Sequence, residues 1–197
     1  MQPLTFVFFG RSGSGKGTQA KLLMKFLREK TPRKVLYLET GQMLRDFMDR
    51  DTLSSRLTRE VLEHGGLMPE FLPIWLWTGF LVQNFSGEEH LILDGASRRI
   101  HEAPILHDAL KFYHVSKSFV VYLNVPRERA FAMLKGRGRK DDTDEHINKR
   151  LDWFDKNVLP VVDYFRTADR ATLLEIDGTQ SIEKVHEDIL RAANLRQ

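Results

Sequence analysis

The stretch that decides the fold is Leu4-Thr5-Phe6-Val7-Phe8-Phe9 followed at once by Gly10-Arg11-Ser12-Gly13-Ser14-Gly15-Lys16-Gly17-Thr18. The first six residues are an apolar, aromatic-rich run of strand length, closed by a glycine, as a fully buried strand requires. The next nine carry four glycines and a lysine, and from position 16 the apolar residues Ala20, Leu23, Met24 and Leu27 recur on one helical face. A glycine-rich turn between a buried strand and a helix points successive N–H groups at one anion. The helix N-terminus adds partial positive charge, and a lysine reaches the outer phosphates of a polyphosphate. The spacing matches G-x-x-x-x-G-K, with Gly17 where Ser or Thr is usual and Thr18 one place later.

Outward from that stretch the same alternation continues. Residues 34–38, 90–93, 118–125 and 172–176 read as four more buried strands, and residues 42–48, 53–63, 74–85, 103–112, 127–134, 144–165 and 182–193 as helices, with Pro160 kinking or dividing the long one. Five buried runs separated by helices predict an α/β three-layer sandwich around a five-stranded parallel sheet, with ligands beyond the carboxyl ends of the strands. The 197 residues suit one domain, 1–197, and 42% hydrophobic against 29% charged residues excludes a disordered chain. With no cysteine, disulfides, thiolate catalysis and Cys-ligated metals are excluded. The seven histidines show no ligand spacing, so no protein-built metal centre is expected. Thirty basic residues against 27 acidic ones do not call for nucleic acid. The greasy stretch 71–85 is too short and too interrupted to span a membrane, and no basic segment precedes the apolar N-terminus as in a secretory signal. Trp75, Trp77, Phe80 and Phe85 read as core packing in preference to a base-stacking platform. The third strand ends Leu93-Asp94-Gly95, an acid at a strand's carboxyl edge, suited to a Mg²⁺ ion or its water shell.

Four further segments complete a pattern. The stretch Gly10 to Gln19, Thr40-Gly41-Gln42-Met43-Leu44-Arg45, Asp94-Gly95-Ala96-Ser97-Arg98, Arg139-Lys140-Asp141-Asp142 with Lys149-Arg150-Leu151, and Ile176-Asp177-Gly178-Thr179-Gln180 resemble, in this order, the motifs of adenylate kinases and related nucleoside monophosphate kinases. The resemblance covers nearly the whole chain. It implies a P-loop kinase fold with a small helical monophosphate-binding segment at 40–69 and a short lid at 135–143, and reversible transfer of the γ-phosphoryl group of Mg·ATP to AMP, giving two ADP. Gly13, Ser14, Gly15, Lys16, Gly17 and Thr18 would hold the phosphates of ATP, Arg137 would reach the donor, and the Gln180 carbonyl would meet its adenine. Thr40, Arg45, Gly66, Leu67, Met68, Gly95, Ala96, Ser97 and Arg98 would bind the acceptor, with Arg139 and Arg150 closing over the phosphoryl group in flight. Lys16, Arg98, Arg139 and Arg150 would be the catalytic set, Mg²⁺ would arrive with ATP, and Asp94 would hold its water shell. A cytoplasmic monomer acting on small nucleotides, free of nucleic acid and membrane, is the matching expectation.

The chemistry agrees. An acceptor phosphate is already an oxyanion, so transfer needs positioning and charge neutralisation more than a base, and arginine's planar fork suits that task. The sequence departs from the family at Ala96-Ser97, where Phe-Pro is usual, at Arg11, Ser12 and Gln42, and at Glu102. Adenylate kinases carry at this last position a glutamine that reads adenine. A carboxylate accepts and cannot donate, so Glu102 suits guanine or cytosine better than adenine N1; alternatively it is a helix N-terminal acid facing water. Two rival functions follow: the same transfer to GMP, CMP or UMP, or a non-catalytic nucleotide-binding module.

Overall fold

The computed structural model describes residues 2–63, 68–138 and 142–196, with the side chain of Arg137 not described. Five strands form one sheet: β1 (Thr5–Gly10), β2 (Val35–Glu39), β3 (His90–Asp94), β4 (Ser118–Asn124) and β5 (Ala171–Asp177). Their order is β2-β3-β1-β4-β5 and every pairing is parallel. The chain after β1 therefore emerges where the order divides, between β3 and β4, which is where open α/β sheets bind ligands.

The alternation along β1 builds both cores. Val7 and Phe9 face one side of the sheet, packing with Leu91, Leu93, Val120 and Tyr122 against α4 (Phe71–Asn84), α5 (Glu102–Phe112) and α8 (Leu159–Thr167). Phe6 and Phe8 face the other, with Ile92, Val121 and Leu123 against α1 (Lys16–Lys30) and α9 (Ile182–Ala192). This is the expected three-layer sandwich. Two small satellite cores lie outside it. Phe47, Leu72 and Leu76 join α2 (Thr40–Met48) to α4, beside α3 (Leu53–Glu63). Val125, Ala130, Leu134, Ile147 and Leu151 join α6 (Arg127–Arg137) to α7 (Asp144–Trp153).

Among the boundaries that differ from expectation, three stand out. Helix α2 begins at Thr40 with no loop after β2. Helix α4 begins at Phe71, ahead of Pro73, because a first-turn residue needs no N–H partner. The long helix divides before Pro160 through a π-helical turn, Phe154–Val158, in which the Leu159 N–H reaches back to the Phe154 carbonyl. Widening the turn here lets the proline follow without a missing bond in a regular α ladder. Of the aromatics on and just after α4, Trp77 and Phe85 are buried, whereas Trp75 is half exposed, its ring centroid 5.8 Å from that of Phe47 in an edge-on arrangement.

Candidate active site

The loop after β1 is shaped by its backbone. Gly13 and Gly15 sit at φ +82° and +86°, and the Ser14 N–H closes a turn on the Arg11 carbonyl at 3.0 Å. At Gly13 a side chain would meet the Ala130 carbonyl at 2.9 Å, so only glycine lets the loop lie against α6. The first turn of α1 holds no acid, leaving its N–H groups and dipole open to an anion. Lys16 folds back over the loop, its Nζ donating to the carbonyls of Gly10 (2.7 Å) and Arg11 (3.0 Å).

Facing this loop are the ends of β2 and β3, where Glu39 and Asp94 lie in register. Asp94 is buried, and a Cβ on Gly17 would stand 3.6 Å from its Oδ2. Burial pushes the Asp94 carboxyl up, Lys16 and Arg98 pull it back, and Glu39 adds to the rise. The Tyr37 hydroxyl lies 3.3 Å from Glu39 Oε2 and 3.4 Å from Asp94 Oδ2. Burial first, then both carboxylates, hold that phenol far above its ordinary range, so it donates. Among the described residues no group of three or more acids, histidines or cysteines could hold a metal alone. One buried carboxylate beside a phosphate-shaped loop does fit Mg²⁺ that arrives on phosphates and keeps its waters.

Beyond β3 the chain turns sharply, with Gly95 at φ +78° and Ser97 at φ +61°. A Cβ on Gly95 would lie 2.6 Å from the Arg98 guanidinium, which folds over it and donates from Nε to the Gly95 carbonyl at 3.2 Å. Glu102 does not face water: it is buried, and its Oε2 accepts from the Arg98 backbone N–H at 2.9 Å. Burial raises its carboxyl, countered by that bond and by Arg99 and Arg98. Arg45 donates from Nη2 to Glu39 Oε1 at 3.2 Å and to Gln42 Oε1 at 2.8 Å. Arg150, on α7, donates to the buried Asp142 Oδ1 at 2.6 Å. In the loop after β5, Gln180 bonds the Asp177 carbonyl and Asp188.

Of the expected site residues, the phosphate loop, Thr40, Arg45, Asp94 and the 95–98 turn gather at one edge of the sheet. Gly66, Leu67 and Arg139 lie outside the described residues, as does the side chain of Arg137. Met68 packs at the satellite core of α2 and α4. The hydroxyls of Ser14, Thr40 and Ser97 are buried with no protein partner among the described residues. Buried hydroxyls are rarely left so, and a water, an ion or a ligand completes them. Sequence reading missed Tyr37, Glu39 and Asp142. Glu39 was findable, since it is the last residue of a buried strand at the ligand edge; Tyr37 reads only as a strand aromatic, and Asp142 as the second acid of its motif.

Comparison with known proteins gives the same result. A family model described as adenylate kinase matches residues 8–170. This chain belongs to the adenylate kinase family. Adenylate kinase 1 of Nostoc sp. (strain PCC 7120) is 33% identical over 183 residues, covering 93% of this chain and 95% of the relative. An adenylate kinase of Prochlorococcus marinus (strain MIT 9301) is 31% identical with 93% and 94% covered. That of Chloroherpeton thalassium is 29% identical with 94% and 96% covered. Its alignment runs over 217 positions, more than the 197 residues of this chain, so the relative carries segments absent here. The family's reaction is ATP:AMP phosphotransfer, and this adenylate kinase family member is accordingly a nucleoside monophosphate kinase. No helix among its described residues is long and apolar enough to cross a membrane.

Proposed function

We propose that the enzyme transfers the γ-phosphoryl group of ATP reversibly to AMP, with donor and acceptor meeting between the β1 loop and the ends of β2 and β3. The observation that carries this is the closeness of the glycine loop to the buried carboxyl of Asp94, which a Cβ on Gly17 would approach to 3.6 Å, with Arg98 in the turn that follows Asp94. The backbone of residues 13–18 cradles the donor phosphates, and Lys16 exchanges the Gly10 and Arg11 carbonyls for phosphate oxygens. Thr40, Arg45, residues 66–68 and 95–97 and Arg98 hold the acceptor; Arg98, Arg139 and Arg150 spread the transferring charge. Asp94 would hold Mg²⁺ through its water shell, and the ion would supply charge that screens the phosphates. The Gln180 carbonyl and Arg137 attend the donor nucleotide. A helical acceptor segment at 40–69, a short basic lid at 135–143 that excludes water, and work as a monomer in the cytoplasm belong to the same proposal.

A second reading concerns the acceptor base. Glu102 stands where the family's glutamine reads adenine, and its ionised carboxylate offers adenine N1 no donor. A missing buried partner costs about 1–3 kcal/mol, roughly a 5- to 150-fold effect on preference. Protonated, the same group donates, so burial of Glu102 lets AMP compete better as pH falls. The test is a coupled assay with Mg·ATP and each of AMP, GMP, CMP and UMP between pH 6 and 8, with Lys16→Ala as blank and Glu102→Gln in parallel. Turnover of AMP unaltered by Glu102→Gln makes Glu102 a scaffold for Arg98. A preference for another base that moves to AMP in Glu102→Gln, or a wild-type AMP preference that grows in acid only while Glu102 is present, makes it the base reader. No transfer to any acceptor leaves the non-catalytic nucleotide-binding module.

A further inference from the structure

Two arginines that lie outside the proposed transfer set grip one short piece of chain, residues 153–155, one from the loop after β1 and one from the loop after β3. Arg11, in the donor loop, is largely buried and turns away from the phosphates. Its Nη1 donates to the Val125 carbonyl at 2.8 Å, its Nη2 to Asp155 Oδ1 at 2.6 Å, and its guanidinium carbon lies 5.1 Å from the Phe154 ring centroid. Phe154 in turn stacks on Tyr122 of β4 at 6.3 Å. Arg99, in the acceptor loop next to Arg98, sits 4.7 Å from the Trp153 ring centroid and 3.7 Å from Glu70, with only 17% of its side chain exposed. Trp153, Phe154 and Asp155 are the junction at which α7 passes into the π turn. Asp155 is shared with Arg127 of α6, at 3.6 Å.

The spacing gives the grip its consequence. Residues three and four apart share a helix face, so Trp153 and Phe154 lie under the face that carries Arg150 one turn earlier. Helix α7 extends from the junction toward residues 142–144, and Arg150 is tied to Asp142 near that end. Its root is held by one side chain from each substrate loop. A guanidinium on an aromatic face contributes about 0.5–2 kcal/mol, depending on how far it is desolvated, and a π turn is a place where helix register can be reset.

We propose that Arg11 and Arg99 are positioning residues for phosphoryl transfer: they fix the α7 root from the donor and acceptor loops and thereby set where Arg150 reaches. The proposal rests on the kinase reading given above. Displacing a catalytic group by about 1 Å can cost on the order of 100-fold in rate, and because neither arginine belongs to the proposed nucleotide contacts the effect belongs in kcat.

The test uses Arg11→Met, Arg99→Met and Asp155→Asn, each in the wild-type and Arg150→Lys backgrounds. It measures kcat and KM for Mg·ATP and the preferred monophosphate, ADP affinity by calorimetry, and Tm. Asp155→Asn keeps the size of the side chain and an acceptor for Arg11, and remains informative where Arg11→Met does not fold. The expected result is a fall in kcat of about tenfold or more, KM and ADP affinity within about threefold, and little further loss once Arg150 is lysine. The inference is overturned where kcat is unchanged in all folded variants, where the loss is the same factor in both backgrounds, or where kcat and affinity fall together. A wild-type protein that transfers to no monophosphate defeats the kinase reading instead, and the Lys16→Ala blank tells the two failures apart.

Discussion

The donor loop and the acceptor loops sit at one edge of one sheet, yet they are built by opposite means. The donor loop is made of backbone: two left-handed glycines, a turn closed on the Arg11 carbonyl and a helix N-terminus free of acid. The acceptor side is made of side chains. Arg45 is held by Glu39 and Gln42, and Arg98 is presented by a strained Ser97 whose turn is fastened by Glu102. Apart from the Lys16 side chain, a site made of backbone depends on glycines at fixed positions and draws its N–H donors from the main chain whatever side chains stand between them. Arg11 and Ser12 can therefore depart from the family pattern, and the Arg11 side chain is released for other contacts. A site made of side chains changes whenever one of them does. The departures at Gln42, Ala96, Ser97 and Glu102 fall on that side, so in the proposed site the donor half would fix the reaction and the acceptor half would adjust what receives the phosphate.

The strongest way to break this comparison is Lys16→Ala. Removing a charged donor from a preorganised anion site costs about 10²–10³ in kcat, and because Lys16 serves the donor half, the loss is the same factor for every monophosphate. A steady-state series over AMP, GMP, CMP and UMP checks it. A loss that varies with the acceptor base means that Lys16 also reads the acceptor, and the two halves are not separable.

The same contrast explains what could be read before any coordinates. The sheet was legible because its strands are continuous apolar runs, and the phosphate loop because its function needs glycine at particular steps. Arg45, Arg98 and Arg150 were found by motif position, since an arginine in isolation reads as surface. Asp94 and Glu39 are each readable as acids at strand ends, but their meeting with Tyr37 is not, because it joins neighbouring strands whose 55-residue separation in sequence carries no periodic signal. The sequence leaves Glu102 open between a site-facing carboxylate and a solvent-facing acid for a related reason. A first-turn acid has a good solvent-facing explanation in the helix dipole, and only the fold of the 95–98 turn reveals that it is covered. The π turn was foreseen as a break at Pro160, without the widened register that puts Phe154 under Arg11.

A smaller effect sharpens the acceptor side. Ser97 holds φ +61°, a conformation that costs an L-residue about 1–2 kcal/mol, and its hydroxyl is buried with no protein partner among the described residues. Ser97→Gly removes the strain and frees the loop. Thermal denaturation of Ser97→Gly is expected to show a Tm equal to or slightly above wild type. The KM for the monophosphate rises several-fold, through loss of the hydroxyl and looser presentation of Arg98, while the KM for Mg·ATP stays put. A parallel rise in the ATP KM means that the strained turn also shapes the donor loop, and the division between backbone-made and side-chain-made halves is drawn in the wrong place.

The smallest expected effect lies at the opposite edge of the sheet, where one buried histidine stitches the two halves together. His90 opens β3, and its Nδ1 accepts from the Leu4 N–H at 3.0 Å, just ahead of β1. Its Nε2 lies 3.4 Å from the Thr31 hydroxyl at the end of α1. The ring must be neutral to accept from a backbone N–H, and burial, then Arg33 and the N-terminus, hold its pKa below the ordinary 6.5. The unfolded chain therefore takes up the proton more readily. The stabilisation His90 provides is complete above about pH 6.5 and is lost as pH falls through the lower folded value. His186, lowered by burial and by Arg196, adds a second contribution of the same sign. Calorimetric Tm measured from pH 8 to 5 is expected to fall on the acid side of 6.5, less steeply in His90→Asn, which keeps an oxygen acceptor for Leu4 but has no ring to protonate. The residual slope combines His186 with the raised carboxyls of Asp94 and Glu102, whose contribution to stability has the opposite sign. Because the stitch is far from both loops, kcat and both KM values at pH 7.5 stay at wild-type levels in His90→Asn. A shift in the monophosphate KM alone reveals that the β2–β3 half moves relative to the donor half, and ties acceptor binding to the seam between them.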